Sequence, residues 1–154
     1  MNNANDISRI VLELKDKPGA LMPVLNGIQD ELGYVPPEAV PIIANELNLT
    51  RAEVHGVISF YHDFRSTAPG RHIVRICQAE SCQAMGSAAL TASAKEHLGI
   101  DFHQSTRDNA FSLEPVYCLG SCACSPTMMV DGNVYGRVTP ERFREILQEA
   151  RGSE

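Results

Sequence analysis

The sequence predicts an α+β chain, a small N-terminal helical bundle over residues 1–65 followed by an α/β sandwich over residues 71–154. Three observations carry that division. Apolar residues recur at helical spacing from Ile7 to Phe60, shorter strand-like runs begin after Arg71, and all five cysteines fall between positions 77 and 124. The seam is STAPGR, residues 66–71, where Ser, Pro and Gly interrupt the pattern.

Composition sets the outer limits. A chain of 154 residues with 44% hydrophobic and 21% charged content is a folded globular protein, large enough for one domain with its own core or for a small domain with an extension. A net charge of -6 disfavours a general binder of nucleic acid or anionic membrane, since both need clustered Lys and Arg. MNNANDISR lacks a basic, apolar signal sequence and no apolar run approaches a membrane span, so a cytoplasmic protein without direct membrane contact is expected. Reducing conditions there turn five cysteines away from disulfides and toward metal binding or redox chemistry.

In the first half, Ile7, Ile10, Val11 and Leu14 lie on one helix face, with Asp6 as a candidate cap. A second stripe, Leu21, Val24, Leu25, Ile28 and Leu32, runs to Gly33, a helix stop. Val40, Ile43, Ala44 and Leu47 make a third helix. The fourth is the best marked, because Thr50 and Glu53 form a capping box while Leu49 and Val54 stand at the positions of a hydrophobic staple.

In the second half, RHIVRI reads as a strand, Ser87 to Leu98 as a helix, and FSLEPVY, ending at Tyr117, as a further strand. TMMVD and NVYGRV flank Asp131 and Gly132, the turn of a hairpin. Thr139 with Pro140 starts a last helix whose Phe143, Ile146, Leu147 and Ala150 share a face. The order strand, helix, strand, hairpin, helix suits a thioredoxin-like α/β sandwich.

Cys77 and Cys82 follow the first of these strands as C-x4-C, and Cys118 and Cys122 follow the later one as C-x3-C. Two close thiol pairs on neighbouring loops match a [2Fe-2S] cluster, which needs two thiolates for each of two tetrahedral irons. The loops should offer backbone N–H groups to the negatively charged cluster, with Gly86 and Gly120 permitting close backbone approach. Structural zinc also takes four cysteines, usually in short knuckles, and stands as an alternative alongside cysteines that bind nothing. A thioredoxin-type C-x-x-C dithiol is absent. Cys124 falls outside the pattern and reads as a small packed or hydrogen-bonding residue near the cluster, with a ligand role as the alternative.

The chain resembles the thioredoxin-like [2Fe-2S] subunits shared by respiratory complex I, NAD-reducing hydrogenases and NAD-dependent formate dehydrogenases. The resemblance is carried by ELGYVP at 31–36, VHGVISFYHDF at 54–64, the two cysteine pairs and the tail DGNVYGRVTPERFREIL. It implies that Cys77, Cys82, Cys118 and Cys122 are the cluster ligands. Within the family, CQAESCQAMG and YCLGSCACSP look most like the gamma subunit of the molybdenum-containing, NAD-dependent formate dehydrogenase. That likeness implies an electron-transfer subunit with two neighbours, a flavin-bearing, NAD-binding diaphorase subunit and a molybdenum-containing catalytic subunit. It agrees with the residues themselves, because none of the eleven glycines forms a G-x-G and no dinucleotide fingerprint or P-loop can be drawn.

The Cys-free half then reads as a docking element, with Phe60, Tyr61 and Phe64 either presenting a contact surface or closing the helical core. His55 and His62 read as structural or surface residues, and His72, His97 and His103 carry no functional expectation. A rival of another class is an iron–sulfur transcription regulator, since AVPIIANELNLTRAEVHGVISF at 39–60 imitates a helix-turn-helix. Against it, residues 38–65 set Arg51 and Arg65 against Glu38, Glu46, Glu53 and Asp63, whereas phosphate contacts need the opposite balance.

Overall fold

Residues 3–152 are described by a computed structural model, and the chain divides into two units, Met1–Ala68 and Pro69–Glu154, each with its own apolar core. The first is built from α1 (Asn3–Leu14), α2 (Leu21–Leu32), α3 (Ala39–Glu46) and α4 (Arg51–Phe60). The helical stripes supply its core. Ile7, Ile10 and Val11 of α1, Val24, Leu25 and Ile28 of α2, Ile43 of α3 and Val54 of α4 are all buried.

Helix α1 starts three residues before Asp6, which therefore lies in the first turn, favourable toward the positive end of the helix dipole, and is not the cap. Helix α2 stops at Gly33, whose φ of 83° is left-handed and whose N–H returns to the Gln29 carbonyl at 2.7 Å. At the start of α4 the capping box is complete. Thr50 Oγ1 accepts from the Glu53 N–H at 3.2 Å, and Glu53 Oε2 accepts from the Thr50 N–H at 2.8 Å. The Thr50 backbone N–H, together with its hydroxyl, holds the Glu53 carboxyl below its ordinary value. The stabilisation from that carboxylate is present above the unfolded pKa and is lost as pH falls through the depressed folded value. Beyond α4, Gln29 ties down the chain by donating to the Asp63 carbonyl and accepting from the Arg65 N–H, both at 2.8 Å. Phe64 packs against the core, while Phe60 is 73% and Tyr61 45% exposed.

The second unit is a five-stranded sheet of β1 (His72–Cys77), β2 (Gln104–Ser105), β3 (Phe111–Val116), β4 (Met128–Val130) and β5 (Asn133–Tyr135), in the order β2-β3-β1-β4-β5. β1 and β3 are parallel, which requires a crossover, and α5 (Glu80–Ala84) and α6 (Ser87–Leu98) lie within it. β4 runs antiparallel to β1, and β5 to β4. Asp131 and Gly132 make the hairpin turn with φ of 49° and 84°, and the Asp131 carboxylate also accepts from the Ile73 N–H at 2.8 Å. The last helix, α7 (Pro140–Arg151), begins where Thr139 Oγ1 accepts from the Arg142 N–H at 3.2 Å. Its Phe143, Ile146 and Leu147 join Val74, Ile76, Leu90, Leu113 and Met128 in the core. The Ser125–Pro126 peptide bond is cis. Among the described residues no helix is long and apolar enough to cross a membrane.

Candidate metal centre

The parallel pairing of β1 with β3 is what closes the long interval between the two cysteine pairs. Cys77 is the last residue of β1 and stands in register with Val116, the last of β3, so Cys77 and the Tyr117–Cys118 loop leave the same end of the sheet. Cys82 returns on the short helix α5, and Cys122 opens a 3-10 turn, Cys122–Cys124. Ser81 Oγ, next to Cys82, donates to the Cys122 carbonyl at 3.1 Å and fastens the two loops together.

Cys118 Sγ and Cys122 Sγ are 3.8 Å apart. Two thiolates each about 2.3 Å from one tetrahedral metal ion stand about 3.8 Å from one another, so this pair is already spaced for a shared ion. Both are exposed, whereas Cys77 and Cys82 are buried. Among the described residues no three His, Cys, Asp or Glu side chains are grouped as around a single ion. The thiols come as two pairs.

The electrostatics join these pairs. Burial pushes the Cys82 thiol up, but hydrogen bonds with Ser125 and Thr127, with a smaller contribution from Cys77, outweigh it and leave its pKa lowered. Ser125 Oγ lies 3.3 Å and Thr127 Oγ1 3.4 Å from Cys82 Sγ. The Cys122 thiol is pushed up by its hydrogen bond to Cys118, then by the Cys118 charge, burial and the charges of Cys82 and Cys77. Four thiols thus share one field. A metal charge in their midst relieves the repulsion among the thiolates.

The backbone at the exposed pair is unusual. Cys118 has a φ of 134°, a strained conformation for a residue with a Cβ, at a typical cost of about 1–3 kcal/mol. The Gly120 N–H turns back to donate to Cys118 Sγ at 3.3 Å, as a thiolate ligand loop requires. Gly86 and Gly120 have left-handed φ values of 97° and 76°, which glycine adopts without strain, and a Cβ on either would meet no atom of the chain within 4 Å.

Sequence reasoning missed the polar support of the site. Ser81, Ser125 and Thr127 surround Cys82, and Ser87 Oγ donates to the Cys77 carbonyl. Gln78, between the first two cysteines, donates from its N–H to the Val116 carbonyl at 2.7 Å and from Nε2 to Thr91 Oγ1 at 2.9 Å. The one available signal was proximity, since Ser81, Ser125 and Thr127 sit within five residues of a cysteine. The histidines lie apart from this chemistry. His72 pairs with Asp131 at 2.6 Å, His103 with Glu114 at 2.7 Å, His97 meets the Phe143 ring edge-on, and His55 and His62 are exposed. Cys124 is exposed.

Residues 7–151 match the model of the thioredoxin-like [2Fe-2S] ferredoxin family. The chain belongs to that family. Its cofactor is a [2Fe-2S] cluster, and the two thiol pairs fit a group that takes two thiolates on each of two irons. The HndA component of the NADP-reducing hydrogenase of Solidesulfovibrio fructosivorans is 34% identical over 144 residues, which are 94% of this chain and 84% of that protein. One component of the NADH-quinone oxidoreductase of Mycobacterium tuberculosis is also 34% identical, over 95% of this chain, but the chain spans only 58% of that relative. Among solved structures, an NAD+-reducing [NiFe]-hydrogenase shares the fold with a TM-score of 0.72 at 22% identity, over 90% of this chain and 24% of the solved one.

Proposed function

We propose that this chain is the one-electron relay of a larger oxidoreductase, with Cys77, Cys82, Cys118 and Cys122 as the cluster ligands and a flavin-bearing, NAD-binding diaphorase subunit as its immediate partner. The observation that carries the reading is the meeting of the two thiol pairs at the paired ends of β1 and β3, with Cys118 and Cys122 at 3.8 Å. When bound, the cluster supplies an acceptor and donor of single electrons. The chain's own residues divide the remaining work. Cys77 and Cys82 hold the buried side, where the Ser125 and Thr127 hydroxyls stand beside the Cys82 sulfur and water is excluded. Cys118 and Cys122 hold the exposed side, where Tyr117, next to Cys118, is 76% exposed and Met85, which lines a cleft with Ala123 and Ser125, is 62% exposed. Apolar side chains left bare beside exposed ligands suit a partner that covers them.

The helical unit over residues 1–65 is the docking element in this reading, with exposed Phe60 and Tyr61 at the end of α4 as its contact residues. The larger enzyme is a molybdenum-containing, NAD-dependent formate dehydrogenase, and this chain is its gamma subunit. That choice is supported by the loops CQAESCQAMG and YCLGSCACSP. The relatives favour a second reading at the same level, the corresponding component of an NADP- or NAD-reducing hydrogenase or of an NADH-quinone oxidoreductase.

The test is a tagged copy purified with its native partners and followed by electron paramagnetic resonance. NADH reduces the cluster in the complex and leaves it oxidised in the isolated chain, because flavin is needed to split a hydride pair into single electrons. An intact complex whose cluster NADH leaves oxidised contradicts the relay. Reduction by formate supports the formate dehydrogenase, while reduction by hydrogen keeps the relay and replaces the enzyme.

A further inference from the structure

We propose that Gly136 is a positioning residue for the cluster, a gap that lets the segment after β5 clamp the turn carrying Cys122. The proposal rests on the reading of Cys122 as a ligand. A Cβ built on Gly136 would lie 2.7 Å from Cys124 Cβ and 3.0 Å from the Cys124 carbonyl oxygen. Neither atom is the free end of a flexible side chain, so the turn itself would have to move. The clamp around this contact is made of backbone. The Arg137 N–H donates to the Cys124 carbonyl at 2.6 Å and the Val138 N–H to the Pro126 carbonyl at 3.0 Å, one hydrogen bond on each side of Ser125.

What the clamp holds is connected to the site at both ends. Cys122 and Cys124 belong to one 3-10 turn, and the Ser125 hydroxyl lies 3.3 Å from Cys82 Sγ. Moving Cys124 outward therefore shifts one proposed ligand directly and the hydrogen-bonding neighbour of another. The requirement at 136 is for space alone. Gly136 is not among the residues with a positive φ, so alanine could adopt its backbone conformation and only the contact with Cys124 opposes it. The same contact gives Cys124 a role as the small packed face of the clamp, one that serine fills as well as cysteine.

Three variants of the full-length protein test this, G136A, C124G and the double variant, with G70A as a control. Gly70 is equally tight, its Cβ position being 2.7 Å from the Phe111 carbonyl carbon, but it faces the start of β3, away from the cysteine loops. The readouts are the g values of the reduced cluster and the rate of iron release to a chelator. G136A shifts the g values and releases iron about tenfold faster, the scale on which groups supporting a metal ligand act. Removing the opposing Cβ in the double variant returns both readouts toward those of the parent, and G70A leaves the g values unchanged. A G136A protein with parental g values and iron release overturns the proposal, as does a double variant no closer to the parent than G136A. If G136A does not fold, a folded, loaded double variant supports the clamp and an unfolded one overturns it. Cys122→Ser separates this from the ligand reading. A Cys122→Ser protein that keeps its iron and parental g values sinks the ligand assignment, whereas loss of the cluster there beside unaltered g values and iron release in G136A sinks the clamp alone.

Discussion

Serine in place of Cys77, Cys82, Cys118 or Cys122 leaves a protein that no longer retains its cluster. Each change exchanges a soft thiolate for a hydroxyl that is a harder and poorer ligand for iron, and at the buried pair it also shortens the reach of the side chain in a packed environment. The effect should be greatest at Cys82, where Ser125 and Thr127 are placed to hydrogen-bond a sulfur at 3.3 and 3.4 Å and would find a smaller oxygen set back from them. Iron content, about two per chain in the parent, falls to a small fraction in each of the four variants. Cys124→Ser keeps its iron, because that residue contributes packing through its Cβ and no sulfur ligand. Loss of iron in Cys124→Ser with retention in any of the other four would mean that the wrong set has been assigned.

Phe143→Ala produces the largest loss of stability expected from a single apolar change. The Phe143 side chain is fully buried at the centre of the second unit, among the residues of α6, α7 and the sheet. Truncating such a ring removes its transfer free energy and leaves a cavity that the surrounding sheet cannot close, at about 3–5 kcal/mol. That is a large part of the roughly 5–15 kcal/mol that holds a typical domain folded. Urea unfolding followed by the visible absorption of the cluster reports this directly, since cluster loss accompanies opening of the unit that bears it. Phe143→Leu, which keeps most of the volume, should lose much less. An unchanged midpoint in Phe143→Ala would place the core elsewhere.

The long helices were legible because several signals agreed on each. In α4 the Thr50–Glu53 box, the Leu49–Val54 spacing and the helical period all coincide, and in α2 the stripe ends at a glycine the backbone requires. The same α3 and α4 pattern that imitates a helix-turn-helix is used for packing, with Ile43, Ala44 and Val54 buried in one core. The elements that sequence reading missed are short. Helix α5 has five residues, β2 two and the 3-10 turn three, too few for any period to show.

For the site, the cysteines stood out because thiols are rare and their two pairs end two strands. Their hydroxyl neighbours did not, because Ser and Thr are common in loops and nothing local marks Thr127 as a partner of Cys82. Only tertiary structure does that. The antiparallel pairing of β4 with β1 extends to a hydrogen bond from the Cys77 N–H to the Thr127 carbonyl at 3.1 Å, which carries the Thr127 side chain to the buried sulfur. Gly136 was hidden for a similar reason, since a glycine just after a hairpin strand looks like turn chemistry until the Cys124 Cβ is found against it.

The central claim, a single binuclear iron–sulfur cluster held by four thiolates and carrying one electron, is tested most directly by quantifying the electron paramagnetic resonance of the dithionite-reduced protein beside its iron and acid-labile sulfide. The account predicts about two irons, two sulfides and one unpaired spin per chain, silent when oxidised. Zinc without sulfide, or sulfide-free iron, in freshly purified protein would contradict it.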